Sequence, residues 1–337
     1  MARVGIKDIA EKAGVSIATV SHAFRNPGRV SKKTRKRVLE AAEEIGYTPN
    51  KLAASLRTAR TGNIVAIIPD VGDNFVSGIV KGIDSIANSR GYAVLLGETQ
   101  GLVEKEREFA AMPLSRQADG IILMSHRLPF DMPDGASGPE SLPPIISGCE
   151  ATGHDWLPCV SIDDEQGGRD ATNHLIKLGH RKIAAITGDR TSASTRKRLA
   201  GFHSAMADAG LTVRDSWVIY GGYKADVGEL AAHELLLQKD RPTAVFCFSD
   251  EIALGCMHSL RHAGFGVPED ISVIGFDDIP FARYFTPSLT TIAQPAEAIG
   301  RSCAMLLFDL IDGQRPKTNR IILPHTLVVR ESTRAIS

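Results

Sequence analysis

Apolar residues in the first stretch of the chain come in short bursts at helical spacing. Ile6, Ile9, Ala10 and Ala13 fall at i, i+3, i+4 and i+7, which predicts a short amphipathic helix. Gly14 ends it as a C′ glycine commonly does, Val15 fills the turn, and Ser16 is a good N-cap for a second helix over Ile17 to Phe24. Asn26-Pro27-Gly28 is a strong stop. Ser31 then caps a third helix, whose inner stripe is Val38, Ala41, Ala42 and Ile45 and which Gly46 closes. Three short helices with a tight turn between the first two predict a helix-turn-helix; a plain helical hairpin is the competing reading.

From residue 64 the pattern changes to continuous apolar runs, as expected of strands buried on both faces. Ile64–Asp70 is such a run, followed by a helix with Phe75, Ile79, Ile83 and Ile86 on one stripe and a stop at Gly91. Further strands are expected over Tyr92–Gly97, Gly120–Met124 and Pro144–Ser147. The order restarts at Lys182–Thr187, with a helix through Phe202 and strands over Trp217–Tyr220, Ala244–Phe248 and Ile271–Phe276. Alternating buried strands and helices make an α/β fold of doubly wound parallel sheets, here in two similar lobes. Ligands on such sheets sit beyond the carboxyl ends of the strands, so the cleft between lobes is the expected small-molecule site.

Charge sharpens this division. The whole chain has 39 Lys+Arg and 39 Asp+Glu, yet residues 1–60 hold 13 and 5 of them. A small basic head on an acidic body suggests a polyanion-binding module. In the second helix Val20, Ala23 and Phe24 can supply the core, which leaves Ile17, Ala18, Ser21 and His22 facing outward. An exposed Ile and Ala on a helix's first turn suit a thymine methyl in the major groove, and His22 could donate to a guanine or a phosphate. A merely solvated histidine is the alternative. Thr19, Lys32, Lys33, Arg35 and Lys36 read better as phosphate contacts, which add affinity without sequence choice. Lys51 to Thr58 is helix-prone but too short to be stable alone in water, so it is expected to order on DNA or against a second copy. Leu56 could then wedge a minor-groove base step, or simply pack with Leu52 on the body.

Composition excludes other classes. Hydrophobic residues at 43% and charged residues at 23% are ordinary globular usage. No apolar run reaches the ~18 residues of a membrane span, and no signal-like h-region opens the chain, so a cytoplasmic protein is expected. Five cysteines without a CxxC pair fit reduced thiols, with no metal site or cofactor expected. GxxxxGK[ST], GxGxxG after a strand, GxSxG and HExxH are all absent, which argues against an enzyme. The carboxylate pairs Asp163-Asp164 and Asp277-Asp278 could be acid/base residues. Their place at strand ends favours hydrogen bonds to ligand hydroxyls, and helix capping is the bland alternative.

The string DIAEKAGVSIATVSHAFRNPGRVSKKTRKRVLEAAEEIGYTPNKLAASLR resembles the DNA-binding segment of the lactose-repressor (LacI/GalR) family of bacterial regulators. VAIIPD, ADGIILMS, LGHRKIAAITGD, RLAGF, PTAVFCFSDEIALG, VPEDISVIGFDD and PSLTTIAQP extend that likeness through the body. SHRLPFD, PTAVFCFSD, LTTIAQP and the ending RESTRAIS are most similar to nucleoside-responsive members. The resemblance implies a homodimer that reads a pseudo-palindromic operator in double-stranded DNA. It also implies a helix-turn-helix domain (1–49), a hinge (50–60) and an effector-binding, dimerising core (61–337). The N-lobe would span about 61–161 plus 293–321, and the C-lobe about 162–292 plus 322–337.

By the same resemblance, Ile17, Ala18 and His22 take base-reading positions, and Thr19, Ser21, Lys32, Thr34 and Arg35 take backbone ones. Ala53 and Leu56 take the hinge positions that enter the minor groove. Asn74, Phe75, Ser125, Asp163, Ser192, Ser194, Arg198, Tyr223, Asp250, Asp277 and Gln294 take effector positions. Arg198 and Asp277 suit vicinal hydroxyls, one offering donors and the other acceptors, and Phe75 and Tyr223 offer flat faces to a base or sugar. The effector implied is a nucleoside, with a free sugar as the alternative. Gly222 stands where many members carry a larger polar residue, and no leucine-rich tail follows Arg330, so a dimer is expected over a tetramer. A small-molecule binding protein without a regulatory role and a doubly wound enzyme remain the competing classes.

Overall fold

The computed structural model describes residues 5–25, 27–47, 60–132, 142–316 and 318–336. The chain divides into two compact units, Met1–Thr61 and Gly62–Ser337. Ala53 and Leu56 lie outside the described residues.

The first unit holds α1 (Ile6–Lys12), α2 (Ile17–Arg25) and α3 (Lys32–Glu44). Gly14 and Gly46 adopt φ of +60° and +66°, the left-handed stop that glycine takes without a Cβ penalty. Ser31 caps α3 by accepting the Thr34 N–H at 3.1 Å, and Ser16 receives the Thr19 N–H at the same distance. The buried set is Ile9, Ala10, Ala13, Val20, Ala23, Val38, Ala41 and Ala42, with Phe24, Ile45 and Tyr47 packed around it. Alanine dominates, so the helices approach closely over a core with few large side chains.

The second unit holds two six-stranded sheets. The first runs β11-β5-β4-β3-β1-β2, with β1 (Asn63–Ile68), β2 (Ala93–Glu98), β3 (Ile121–Leu123), β4 (Ile145–Gly148), β5 (Cys159–Ile162) and β11 (Arg320–Leu323). All its pairings are parallel. The second runs β12-β10-β9-β8-β6-β7, with β6 (Ile183–Thr187), β7 (Val218–Tyr220), β8 (Ala244–Cys247), β9 (Ser272–Asp277), β10 (Thr290–Ala293) and β12 (Thr326–Val328). Only β12 is antiparallel to its neighbour. Helices α4 (Asn74–Ser89), α5 (Val103–Ala110) and α10 (Ala296–Ile311) pack on the first sheet. α6 (Asp164–Lys177), α7 (Ala193–Asp208), α8 (Ala225–Leu236) and α9 (Asp250–His262) belong to the second. The chain therefore passes between lobes three times, after β5, after β10 and after β11.

Two short strands, β5 and β11, escape the hydrophobic pattern. The four residues of β5 alternate in burial, and β11 is an edge strand with Ile322 62% exposed, so neither forms a continuous apolar run. Trp217 lies in a 3₁₀ turn before β7, outside the strand expected to include it. Glycine sets one close approach that matters for the site. A Cβ at Gly201 would fall 2.0 Å from the Glu165 carbonyl oxygen, and one at Gly168 2.2 Å from that of Arg198. Backbone contact between α6 and α7 brings Arg198 against Asp164.

Candidate functional site

In the first unit, α2 presents the outward face. Ile17 is 49% exposed and Ala18 is exposed, while Ser21 and His22 are half-buried. Val20 and Ala23 are fully buried, so the two sides of the helix are cleanly divided. Lys32 and Arg35 stand exposed at the start of α3. Thr19 and Thr34 occupy equivalent places: the Thr19 hydroxyl bonds that of Ser16 at 2.9 Å, and Thr34 bonds Ser31 at 2.8 Å. Two Ser-x-x-Thr caps thus stiffen two helix N-termini, where the helix dipole favours a phosphate.

In the second unit, a cavity of about 100 Å³ opens between the carboxyl ends of the two sheets. It is lined by Phe75, Ser194, Arg198, Tyr223 and Asp277, and by Asp73, Met124, Cys149 and Glu150. The first five were expected from the sequence; the other four were not.

Arg198 organises one wall. Its Nε donates to Asp164 Oδ1 at 2.9 Å, its Nη1 donates to the Phe248 carbonyl at 2.6 Å, and its guanidinium lies 3.7 Å from the centre of the Phe276 ring. Burial is the largest influence and would lower its pKa, but the acidic groups around it, Asp164 foremost, together outweigh burial and raise it, so Arg198 stays charged. Tyr223 bonds Thr195 Oγ1 at 2.7 Å and Ser192 Oγ at 3.2 Å, and burial pushes its phenol up to about 12. Its ring therefore meets the cavity with a neutral hydroxyl.

Asp277 ends β9 with φ +119°, and Cys149 directly follows β4 with φ +67°. Both are non-glycine residues in sparsely populated backbone regions, which cluster where a ligand is gripped. The Gln294 side-chain amide donates to Asp277 Oδ1 at 2.7 Å, and burial raises the Asp277 pKa well above the usual carboxylate range. Its neighbour Asp278 turns away to pair with Arg330 at 2.6 Å.

Three contacts bridge the lobes around this cavity. Asp70 pairs with Lys224 at 2.5 Å, and the Asn74 amide donates to Glu251 at 3.1 Å. Glu150 accepts from Ser192 Oγ at 2.7 Å and from the Ala193 and Ser194 N–H groups at 3.0 and 3.3 Å.

The remaining expected effector residues lie elsewhere. Asn74, Ser192 and Gln294 touch lining residues or bridge lobes without lining the cavity. Asp163 is exposed and caps α6 by accepting the Gln166 N–H, as the helix-capping alternative has it, and its neighbour Asp164 takes the arginine. Ser125 donates to Glu106, which also grips Arg127. Asp250 is fully buried, accepting from Thr291 Oγ1 at 2.6 Å and from the Ile279 N–H at 2.8 Å. It fixes the loop after β9, and so the direction of Asp277, from behind. Glu150 and Asp73 had one available signal: each follows the carboxyl end of a buried strand.

Two family models match the chain: bacterial regulatory proteins of the lacI family over residues 5–50, and a periplasmic-binding-protein-like domain over residues 172–333. The chain is 38% identical to the HTH-type transcriptional repressor CytR of Escherichia coli K12, over 98% of this chain and 96% of that one. It is 35% identical to the repressor PurR of Vibrio vulnificus, over 98% and 99%. Among solved structures, the lac repressor dimer bound to operator and the anti-inducer ONPF superposes with a TM-score of 0.85 at 28% identity, covering 98% of this chain and 99% of that one. The complex of the transcriptional regulator CelR with cellobiose gives 0.73 at 31% identity, covering 98% and 100%.

Proposed function

Because the chain belongs to the lacI family of bacterial regulatory proteins, we propose that it is a dimeric transcriptional repressor whose grip on operator DNA is set by a nucleoside held between its lobes. The observation that carries the ligand reading is the cavity wall: Asp277 as acceptor, Arg198 as fixed donor, and Phe75 and Tyr223 as flat faces. Ring hydroxyls suit the polar pair and a base suits the aromatic faces. The resemblance of SHRLPFD, PTAVFCFSD, LTTIAQP and RESTRAIS to nucleoside-responsive members supports the same choice.

The cavity of about 100 Å³ is well below the roughly 300 Å³ at which ligand pockets begin. The bridging contacts must therefore yield as the ligand enters, which gives the effector differential affinity for two lobe arrangements. Ile17, Ala18 and His22 read bases, Thr19, Ser21, Lys32, Thr34 and Arg35 hold phosphates, and Ala53 and Leu56 enter the minor groove at the operator centre. A regulator of this kind works beside the chromosome in the cytoplasm. No reaction is assigned to the cleft, since burial keeps the Cys149 thiol neutral and Arg198 is bound to Asp164.

The test is thermal unfolding against nucleosides, bases, pentoses and hexoses. A ligand at 100 times its dissociation constant stabilises by about 2.7 kcal/mol. A shift with nucleosides supports this reading. A shift with sugars alone replaces the nucleoside by a sugar, and no shift with either removes the ligand assignment.

A further inference from the structure

Glu150 occupies the place where a ligand's anionic group would otherwise bind. α7 is 16 residues long, and its N-terminus opens on the cavity through Ser194. Exposed N–H groups at such an end form a ready anion site. Here they are already used. Glu150 reaches across from the other lobe and takes the Ala193 and Ser194 N–H groups and the Ser192 hydroxyl, while Ser192 Oγ accepts the Thr195 N–H.

A second observation points the same way. Asp73 and Asp277 line the same cavity, and its arginine is already bound to Asp164 and to the Phe248 carbonyl. A phosphate or carboxylate entering here meets the Glu150 carboxylate across the helix end and a cation already paired with Asp164, and Asp73 and Asp277 supply no positive charge.

We infer that Glu150 is a specificity-determining residue that restricts the cleft to uncharged ligands by filling its anion-binding end with a carboxylate of the chain itself. The inference rests on the reading of this cavity as the effector site. It separates a nucleoside from its monophosphate, and a pentose from its phosphate ester, although the rest of each molecule is the same. Rejection works by repulsion from Glu150 and by its occupation of the helix-end N–H groups, both of which discriminate between otherwise similar ligands.

The experiment uses the full chain as wild type, Glu150→Gln and Glu150→Ala. Each is titrated by calorimetry with the four common ribonucleosides, their 5′-monophosphates, ribose, ribose 5-phosphate and inorganic phosphate. In wild type, a phosphorylated compound is expected to bind about 100-fold more weakly than its uncharged parent, the scale of a like-charge clash in a desolvated site. In Glu150→Ala that gap narrows at least about tenfold, and ribose 5-phosphate and inorganic phosphate gain binding that added salt weakens. Glu150→Gln removes the charge at nearly constant size and moves in the same direction. An intact cooperative unfolding transition shows that each variant is folded.

A wild type that binds a monophosphate as tightly as its nucleoside overturns the inference. So does an Ala variant that gains no phosphate binding. If no uncharged compound binds, the effector reading fails by itself. The inference is then judged on the Ala variant alone, where gained phosphate binding upholds it and no gain overturns it.

Discussion

The two units carry function in opposite ways. In the helical head, the expected DNA-reading residues are those the core rejects: Ile17 stands 49% exposed on a helix whose Val20 and Ala23 are fully buried. In the two-lobed unit, the polar residues that shape the site are buried or half-buried, and Arg198, Asp277 and Glu150 are each held by partners far away in sequence. Arg198 is bound to Asp164 and Phe248, Asp277 to Gln294, and Glu150 to the start of α7. The head therefore separates stability from recognition, whereas the core builds recognition out of the same groups that stabilise it.

The largest expected effect tests that entanglement. Arg198→Ala removes one member of a buried ion pair and leaves Asp164 buried without its partner, which should cost about 3–5 kcal/mol of core stability. Chemical unfolding followed by Trp217 fluorescence would read this loss, and calorimetry would show ligand binding abolished. A core of unchanged stability would mean that Arg198 serves the ligand only.

In the head, a comparable cost should come from a residue that touches no DNA. Ile9→Ala empties the centre of a small core and should cost about 2–5 kcal/mol, as much as so small a unit can hold. Operator binding should disappear, while ligand calorimetry stays as in wild type. Loss of both would show that the two units do not fold independently.

Ile17→Ala is the counterpart on the exposed face. Stability should change by less than about 0.5 kcal/mol, while discrimination at one base pair falls by about 1–3 kcal/mol in a competition assay over operator variants. Equal weakening on every sequence would place Ile17 off the base edges.

The last effect is read as a pH slope. Burial raises the Asp250 pKa from 3.8 to about 7. The folded core then binds a proton that the unfolded chain releases, so this contribution is full below pH 4 and is lost as pH rises through 7. Asp250→Asn should flatten the fall in unfolding midpoint between pH 5 and 7. Comparison with wild type isolates this group from His174 and His180, whose burial lowers their pKa and tilts stability the other way. An unchanged slope would mean that Asp250 is ionised when folded.

The same contrast explains what could be read from sequence. Helix caps, glycine stops and the two-sided α2 are local, so Ser16, Gly14 and Ser31 announce them within a few residues. The longer buried strands are equally plain, whereas β5, β10, β11 and β12 are short or lie at edges and depend on neighbours supplied by the fold. In the cleft, Phe75, Arg198, Tyr223 and Asp277 were legible through family resemblance. Which residue of the Asp163-Asp164 pair faces inward depends on the approach of α6 to α7, and no local pattern decides that. Glu150 was missed because its partners, the first residues of α7, lie in the other lobe.

The most direct test of the account is the affinity of the full chain for its operator, measured by fluorescence anisotropy with and without a saturating nucleoside. The operator would come from selection on genomic fragments, and the nucleoside from the unfolding screen. The account predicts an affinity change of about tenfold or more, a coupling near 1.4 kcal/mol, that vanishes in Arg198→Ala while operator binding persists. A nucleoside that calorimetry shows bound to the cleft, yet that leaves operator affinity unchanged, would contradict it.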